Sequence, residues 1–122
     1  MYSTNTEEVK VRIISREEFL KLPCGVMFSK YEDCRFGDRC VKDINIGEHD
    51  FMFTQMSVPV KAANDVDYYD KCVTARLNGS SIELNYDCVE RDGCFDSDQM
   101  FAVFEEADLL ALREKLSKCV GA

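Results

Sequence analysis

Cations and aromatic rings coincide in two stretches of this sequence. The first stretch, residues 28–42, contains Phe28, Tyr31, Arg35, Arg39 and Lys42, and the second, residues 91–99, contains Arg91, Asp92, Phe95 and Gln99. A nucleobase can stack on an aromatic ring or a guanidinium plane, and an arginine can hold a phosphate through two parallel hydrogen bonds. We therefore take these residues as candidates for binding a nucleotide-like anion. The alternative is that the rings pack in the core and the arginines pair with nearby acids.

The sequence lacks a combination of residues that would catalyse a reaction. Its single histidine, His49, lies next to Asp50, and no GxSxG nucleophile motif accompanies it. A hydrolytic triad needs a base and a nucleophile together. Glycine-rich loops that cradle phosphates are also missing from the sequence. We expect a protein that is not an enzyme and carries no cofactor.

Two other features invite a metal-site interpretation, but neither has suitable spacing. Cys34 and Cys40 are separated by the same interval as Cys88 and Cys94, whereas paired zinc ligands usually lie about two to four residues apart. The acidic loop at 92–98 lacks the glycine at the sixth position and the glutamate at the twelfth that an EF-hand requires. A turn at Asp92 with solvated acids is the simpler interpretation. No metal is expected.

Composition and charge restrict the possible partners. The chain of 122 residues has a formal net charge of -8, and affinity for a nucleic acid duplex depends on many contacts from Lys and Arg to phosphates. We therefore expect no duplex nucleic acid partner. No signal peptide or long apolar run is evident, so we expect a cytosolic protein that does not enter a membrane. Seven cysteines without a CxxC pair favour free thiols.

Periodicity and capping signals predict the elements that would position these residues. Alternating β-branched residues predict a strand over 9–14, and Ser15 with Glu18 has the spacing of a capping box for a short helix that ends before Gly25. Three further strands are predicted at 25–31, 39–46 and 49–60. Alternation of Ile82, Leu84, Tyr86 and Cys88 predicts a strand over 80–89, and an apolar run predicts another over 99–105.

Helical signals occur in two places in the second half of the chain. Asn64 or Asp65 could cap a helix over 63–79, although its β-branched content leaves a loop with one helical turn as the alternative. Leu109, Leu112, Leu116 and Val120 form one stripe that predicts a C-terminal helix. The resulting fold class is α+β. We expect a mainly antiparallel β-sheet with a short N-terminal helix and a C-terminal helix packed on it, in a single domain spanning 1–122.

Two segments of the sequence resemble one protein family. Residues 17–42, "EEFLKLPCGVMFSKYEDCRFGDRCVK", and residues 91–116, "RDGCFDSDQMFAVFEEADLLALREKL", are similar to the first Thoeris anti-defence family of phages. The resemblance covers about two-fifths of the chain. It implies a signal sponge, which binds cyclic ADP-ribose isomers made by bacterial TIR-domain enzymes and leaves them intact. It also implies cyclic oligonucleotide binding at separate sites, and a location in the cytoplasm of the infected bacterial host.

The same resemblance implies a homo-oligomer, either a dimer or a hexamer built as a trimer of dimers, with ligand sites at subunit boundaries. In this interpretation Arg91 pairs with a ligand phosphate or stacks on adenine, and Phe95 is its stacking neighbour. Replacement of Arg91 by alanine is then expected to weaken binding with little change in melting temperature.

Two functions of other classes stay open at this point. An acidic phage protein could occupy a basic surface of a host defence enzyme, and the net charge favours such a protein-binding inhibitor. The acids are scattered among bases, however, and form no block of like charge. A structural or assembly protein without a small ligand would leave the arginines and aromatic rings as packing residues.

Overall fold

The structure is a computed structural model that describes residues 8–121. The predicted domain also includes residues 1–7 and residue 122, which lie outside the described residues. The elements, in chain order, are β1 (Val11–Ser15), α1 (Arg16–Leu20), β2 (Met27–Glu32), β3 (Arg35–Phe36), β4 (Cys40–Ile46), β5 (Asp50–Gln55), α2 (Asp65–Asn78), β6 (Glu90–Arg91), β7 (Met100–Phe104) and α3 (Glu106–Val120).

The strands form one antiparallel sheet in the order β1-β7-β2-β4-β5-β6, and the short β3 pairs with β2. Strand β7 lies between β1 and β2, so the last strand of the chain occupies an interior position near its first strand. The predicted α+β class with a mainly antiparallel sheet is confirmed. None of the helices within residues 8–121 has the length and apolar character needed to cross a membrane.

Helix α1 closes one face of the sheet over a core of aromatic rings. Phe19 of α1 stacks on Phe101 of β7 with a centroid separation of 4.1 Å, and it meets Phe28 and Phe51 edge to face. All four rings are buried. Burial of each such side chain contributes on the order of 1.5–3 kcal/mol. Through Phe19, this short helix therefore packs against rings from β7, β2 and β5 and stabilises their association.

Ser15, the first residue of the predicted capping box, is the N-cap of α1. The Ser15 side chain accepts a hydrogen bond from the backbone N–H of Glu18 at 3.2 Å. The chain then turns back toward β2 through Gly25, whose φ of +93° lies in the left-handed region that glycine adopts without strain. Ser15 therefore begins the connection between β1 and β2, and Gly25 turns the chain near its end.

The strand predicted over 80–89 is wrong. The segment makes one isolated bridge, between Val60 and Leu84, and Tyr86, predicted to point inward, is 72% exposed. Pairing with β5 begins only at Glu90 and involves two residues. Alternation of apolar residues marks a half-buried strand only where a sheet neighbour is available, and most of this segment has none.

Helix α2 resolves the alternatives for residues 63–79 in favour of a helix. The Asn64 side chain accepts a hydrogen bond from the Asp67 N–H at 2.9 Å, and Gly79 ends the helix in the left-handed conformation. None of its residues is buried. Its apolar residues Val66, Tyr69 and Leu77 are largely exposed.

Helix α3 is joined to the sheet at its first turn. Asp108 pairs with Arg39, whose Nη1 lies 2.6 Å from the carboxylate, and Leu109 and Leu112 are half-buried. Beyond Leu112 every described residue of the helix is exposed, so the C-terminal half of the predicted stripe has no cover within residues 8–121. The helix ends at Val120, and Gly121 caps it in the left-handed conformation.

Candidate functional site

A cleft of about 700 Å³ opens between α1, the turn that joins β4 to β5, and the loop that follows β6. We call it the α1 cleft. Its walls include Arg16, Lys21, Asn45, His49 and Phe95. The volume lies within the range of about 300–1,000 Å³ that is usual for ligand sites, and its lining combines the cations Arg16 and Lys21 and the ring of Phe95 with two acids, Glu17 and Glu48. The cleft can thus admit an anion that carries a flat group.

Phe95 stands at the edge of the α1 cleft in an exposed position. It is 56% exposed, and its φ of 58° lies in the left-handed region that a bulky side chain rarely adopts. The guanidinium carbon of Arg91 lies 6.0 Å from the centroid of its ring. The predicted association of Arg91 with Phe95 is therefore present, and the ring keeps an open face.

The Arg91 side chain is held from beneath by a buried carboxylate. Asp50 is 1% exposed and accepts hydrogen bonds from Arg91 Nε, from the Gly93 N–H at 2.9 Å and from the Phe51 N–H at 2.9 Å. Burial opposes ionisation of Asp50, but these donors outweigh it, so the pKa of Asp50 lies below its ordinary value. No local signal in the sequence marks Asp50 for this role.

Asp92, which the sequence predicts as a ligand-binding residue, is paired with two protein cations on the other side of the same loop. Its side chain has no exposed surface and lies 2.9 Å from Arg16 Nη2 and 2.7 Å from Lys30 Nζ. Burial raises the pKa of Asp92, but the two cations and the Cys94 N–H more than compensate and lower it overall. Because both oxygens face protein cations, Asp92 is a structural anchor.

Arg16 connects this anchor to the α1 cleft. Its Nη2 also donates to the His49 carbonyl at 2.8 Å, and the guanidinium lies 5.6 Å from the Phe51 ring centroid. Arg16 is buried, while its Nη1 has no hydrogen-bond partner among the described residues. The arginine therefore braces the turn at His49 against the loop after β6, and it lends positive charge to the floor of the cleft.

Three more predicted site residues are taken up by the protein interior. Phe28 is part of the core. Lys42 is buried and donates to the Leu22 carbonyl at 2.9 Å and to Asn45 Oδ1 at 2.7 Å, and burial lowers its pKa. Gln99 is buried and donates to the carbonyls of Tyr31 and Met100. Phe28 therefore packs in the core, and the polar groups of Lys42 and Gln99 have hydrogen-bond partners inside the protein.

The other cations of residues 28–42 lie away from the α1 cleft lining. Arg35 lines a separate cleft of about 380 Å³ together with Lys30 and Phe36, and Tyr31 packs edge to face on Phe36 with centroids 5.3 Å apart. Arg39 lies 4.1 Å from the Phe104 ring centroid and pairs with α3, as described above. Arg35 and Arg39 therefore do not line the α1 cleft, whereas Gln99 of the second stretch lines the same cleft as Arg35.

Potential metal ligands do not come together in the described part of the chain. Within residues 8–121, no group of three or more His, Cys, Asp or Glu side chains is placed to hold a metal ion. The seven cysteines are free thiols.

No protein-family model matches the chain, and no curated protein and no solved structure matches it either.

Proposed function

We propose that this protein binds an anionic cyclic nucleotide in the α1 cleft and sequesters it without changing it chemically. The observation that carries the proposal is the pairing of Arg91 with the exposed ring of Phe95 beside a cleft whose lining contains Arg16 and Lys21. Guanidinium groups suit phosphate, and an open aromatic face suits a nucleobase. Both features occur together at this site.

The ligand class follows from the resemblance to the first Thoeris anti-defence family. Residues 91–99 carry part of that resemblance, and two of them, Phe95 and Ser97, line the α1 cleft. The proposed ligands are cyclic ADP-ribose isomers made by TIR-domain enzymes, with cyclic oligonucleotides as a further class. Capture of such a signal in the cytoplasm of an infected bacterium would prevent activation of a defence effector.

Sequestration without catalysis is consistent with the residues around the cleft. The His49 side chain is 79% exposed, and its nearest acid, Glu48, lies 3.9 Å away on the same turn. Among residues 8–121, neither side chain has a hydrogen bond to a third group, such as the one that orients a general base in a catalytic set. The proposed activity is therefore binding alone, and a homo-oligomer would supply additional walls for a cleft that is open on this subunit.

Calorimetric titration with a panel of cyclic ADP-ribose isomers tests this proposal. We expect saturable binding of at least one isomer by the native protein, and binding of the same isomer by Asp98→Asn, a control in the same loop. Loss of the interaction in Phe95→Ala would place the ligand at this cleft. Absence of binding for every isomer and for cyclic oligonucleotides would refute the proposal and favour the acidic protein-binding inhibitor.

A further inference from the structure

We infer that Asp50 is a positioning residue that fixes the Arg91 guanidinium for an anion bound at Phe95, beside the α1 cleft, an inference that rests on the proposed function. The Arg91 side chain is anchored through its Nε. Its Nε donates to Asp50, while Nη1 and Nη2 have no hydrogen-bond partner among residues 8–121. The side chain as a whole is 55% exposed. The two terminal amino groups are thus available to a ligand.

Hydrogen bonds to both oxygens restrain the orientation of the Asp50 carboxylate. One oxygen, Oδ1, accepts from the N–H groups of Phe51 and Gly93, and the other, Oδ2, accepts from Arg91. Phe51 is a core residue of β5, and Gly93 lies in the loop that carries Phe95. One buried carboxylate therefore fixes the strand, the loop and the guanidinium relative to one another.

Anchoring through Nε has a specific chemical consequence. The planar guanidinium keeps its Nη1 and Nη2 donors in one fork, which matches two oxygens of a phosphate. An unanchored arginine would lose side-chain freedom when it engages a ligand, whereas Arg91 has already lost most of it in forming the pair with Asp50. Asp50 also places a negative charge near the anion, so its benefit to binding comes from geometry and not from charge.

Replacement of Asp50 by asparagine would remove the acceptor that holds Arg91 Nε. The asparagine oxygen would be required by the two backbone N–H donors, so its amide group would face Arg91 Nε, where two donors would oppose each other. The arginine would be released although its charge is retained. If Asp50 acts through Arg91, Asp50→Asn should weaken binding of cyclic ADP-ribose by about two- to tenfold, which corresponds to the cost of immobilising one long side chain.

A double-mutant cycle on binding affinity tests the inference. Asp50→Asn should weaken binding of cyclic ADP-ribose in the native background and should have no further effect in an Arg91→Gln background. Equal weakening in both backgrounds would overturn the inference, because a merely structural Asp50 would act independently of Arg91. Circular dichroism of each variant establishes that the fold is intact. Failure of the native protein to bind would instead refute the proposed function.

A second substitution decides the matter if Asp50→Asn does not fold. Arg91→Lys keeps the charge and can still pair with Asp50, but an ammonium paired in this way presents no planar fork. The inference predicts that Arg91→Lys binds as weakly as Arg91→Gln, within about twofold. Retention of native affinity by Arg91→Lys would show that charge alone is sufficient, and it would overturn the inference.

Discussion

Arg91 has two partners, a buried carboxylate and an exposed aromatic ring, so its removal affects stability as well as binding. In Arg91→Ala, loss of a charge-assisted contact to phosphate should weaken ligand binding by about 10- to 100-fold. The sequence alone predicts little change in melting temperature, but the structure leads us to expect a decrease, because Asp50 would lose a hydrogen-bond donor while it is buried. We expect a loss of about 1–3 kcal/mol in the free energy of unfolding.

Chemical denaturation and calorimetric titration of Arg91→Ala separate these two effects. The matched control is Arg35→Ala, which removes an arginine from the other cleft. It should leave both the unfolding free energy and the affinity for the ligand close to their native values. An Arg91→Ala protein that binds normally would remove this residue from the site.

Phe95 should show the opposite balance between stability and binding. The ring is more than half exposed, and its backbone conformation is one that alanine also tolerates poorly, so Phe95→Ala should change the unfolding free energy by less than about 0.5 kcal/mol. Loss of stacking on a base should weaken binding by about 1–3 kcal/mol. A large drop in the denaturation midpoint would identify Phe95 as a packing residue.

Most elements could be predicted because their signals are local. The cap at Ser15, the cap at Asn64 and the glycine at 121 each act on the adjacent turn of helix, and all three helices follow from such signals. The segment 80–89 could not be predicted in this way. Its alternation is as regular as that of a true strand, but whether a strand forms there depends on an available neighbour elsewhere in the chain.

The site was only partly predictable for the same physical reason. Arg91 and Phe95 lie close together in sequence, so their association could be anticipated. The carboxylate that holds Arg91 is 41 residues away in the sequence, and the arginine that pairs with Asp92 is 76 residues away. Nothing local marks Asp50 or Arg16 as partners of this loop. These side-chain pairs can be recognised only in the folded structure, in which β5 lies beside β6.

The exposed stripe of α3 predicts self-association. Leu116 is 50% exposed and Val120 is 82% exposed, and a helix of this length is marginal in water without tertiary packing. If copies of this chain pack along the stripe, light scattering of the native protein should give a multiple of 14.0 kDa. The double substitution Leu112→Glu and Leu116→Glu should shift the protein toward a monomer.

Lys118→Glu is the control for this test, because it introduces an acid on the opposite side of the same helix. It should leave the native oligomer intact. A native protein that remains a monomer of 14.0 kDa at micromolar concentration would contradict the proposed assembly.

Stability of the whole molecule should fall in acid. Asp50 and Asp92 both have pKa values below the ordinary value of about 3.9 for aspartate. Their contribution to stability is therefore complete above about pH 4 and is lost as the pH falls through their lowered pKa values in the folded protein. Thermal melts at constant ionic strength should be flat near pH 5–7 and decline below about pH 4.

Two variants assign this decline to the buried carboxylates. The decline should be smaller in Asp50→Asn, and it should be unchanged in Asp98→Asn, whose carboxylate lies in an exposed part of the same loop. A melting temperature that stays constant from pH 5 to about pH 2.5 would show that these carboxylates do not stabilise the folded state as ions.

The claim that this molecule captures a signal and leaves it intact can be tested in one measurement. Excess protein is mixed with the products of a TIR-domain enzyme, the free fraction is separated by filtration, and the retained protein is then denatured by heat. We predict that a cyclic ADP-ribose isomer disappears from the filtrate and is recovered at its original mass after denaturation. Recovery of a cleaved product, or an undiminished isomer in the filtrate, would contradict the account.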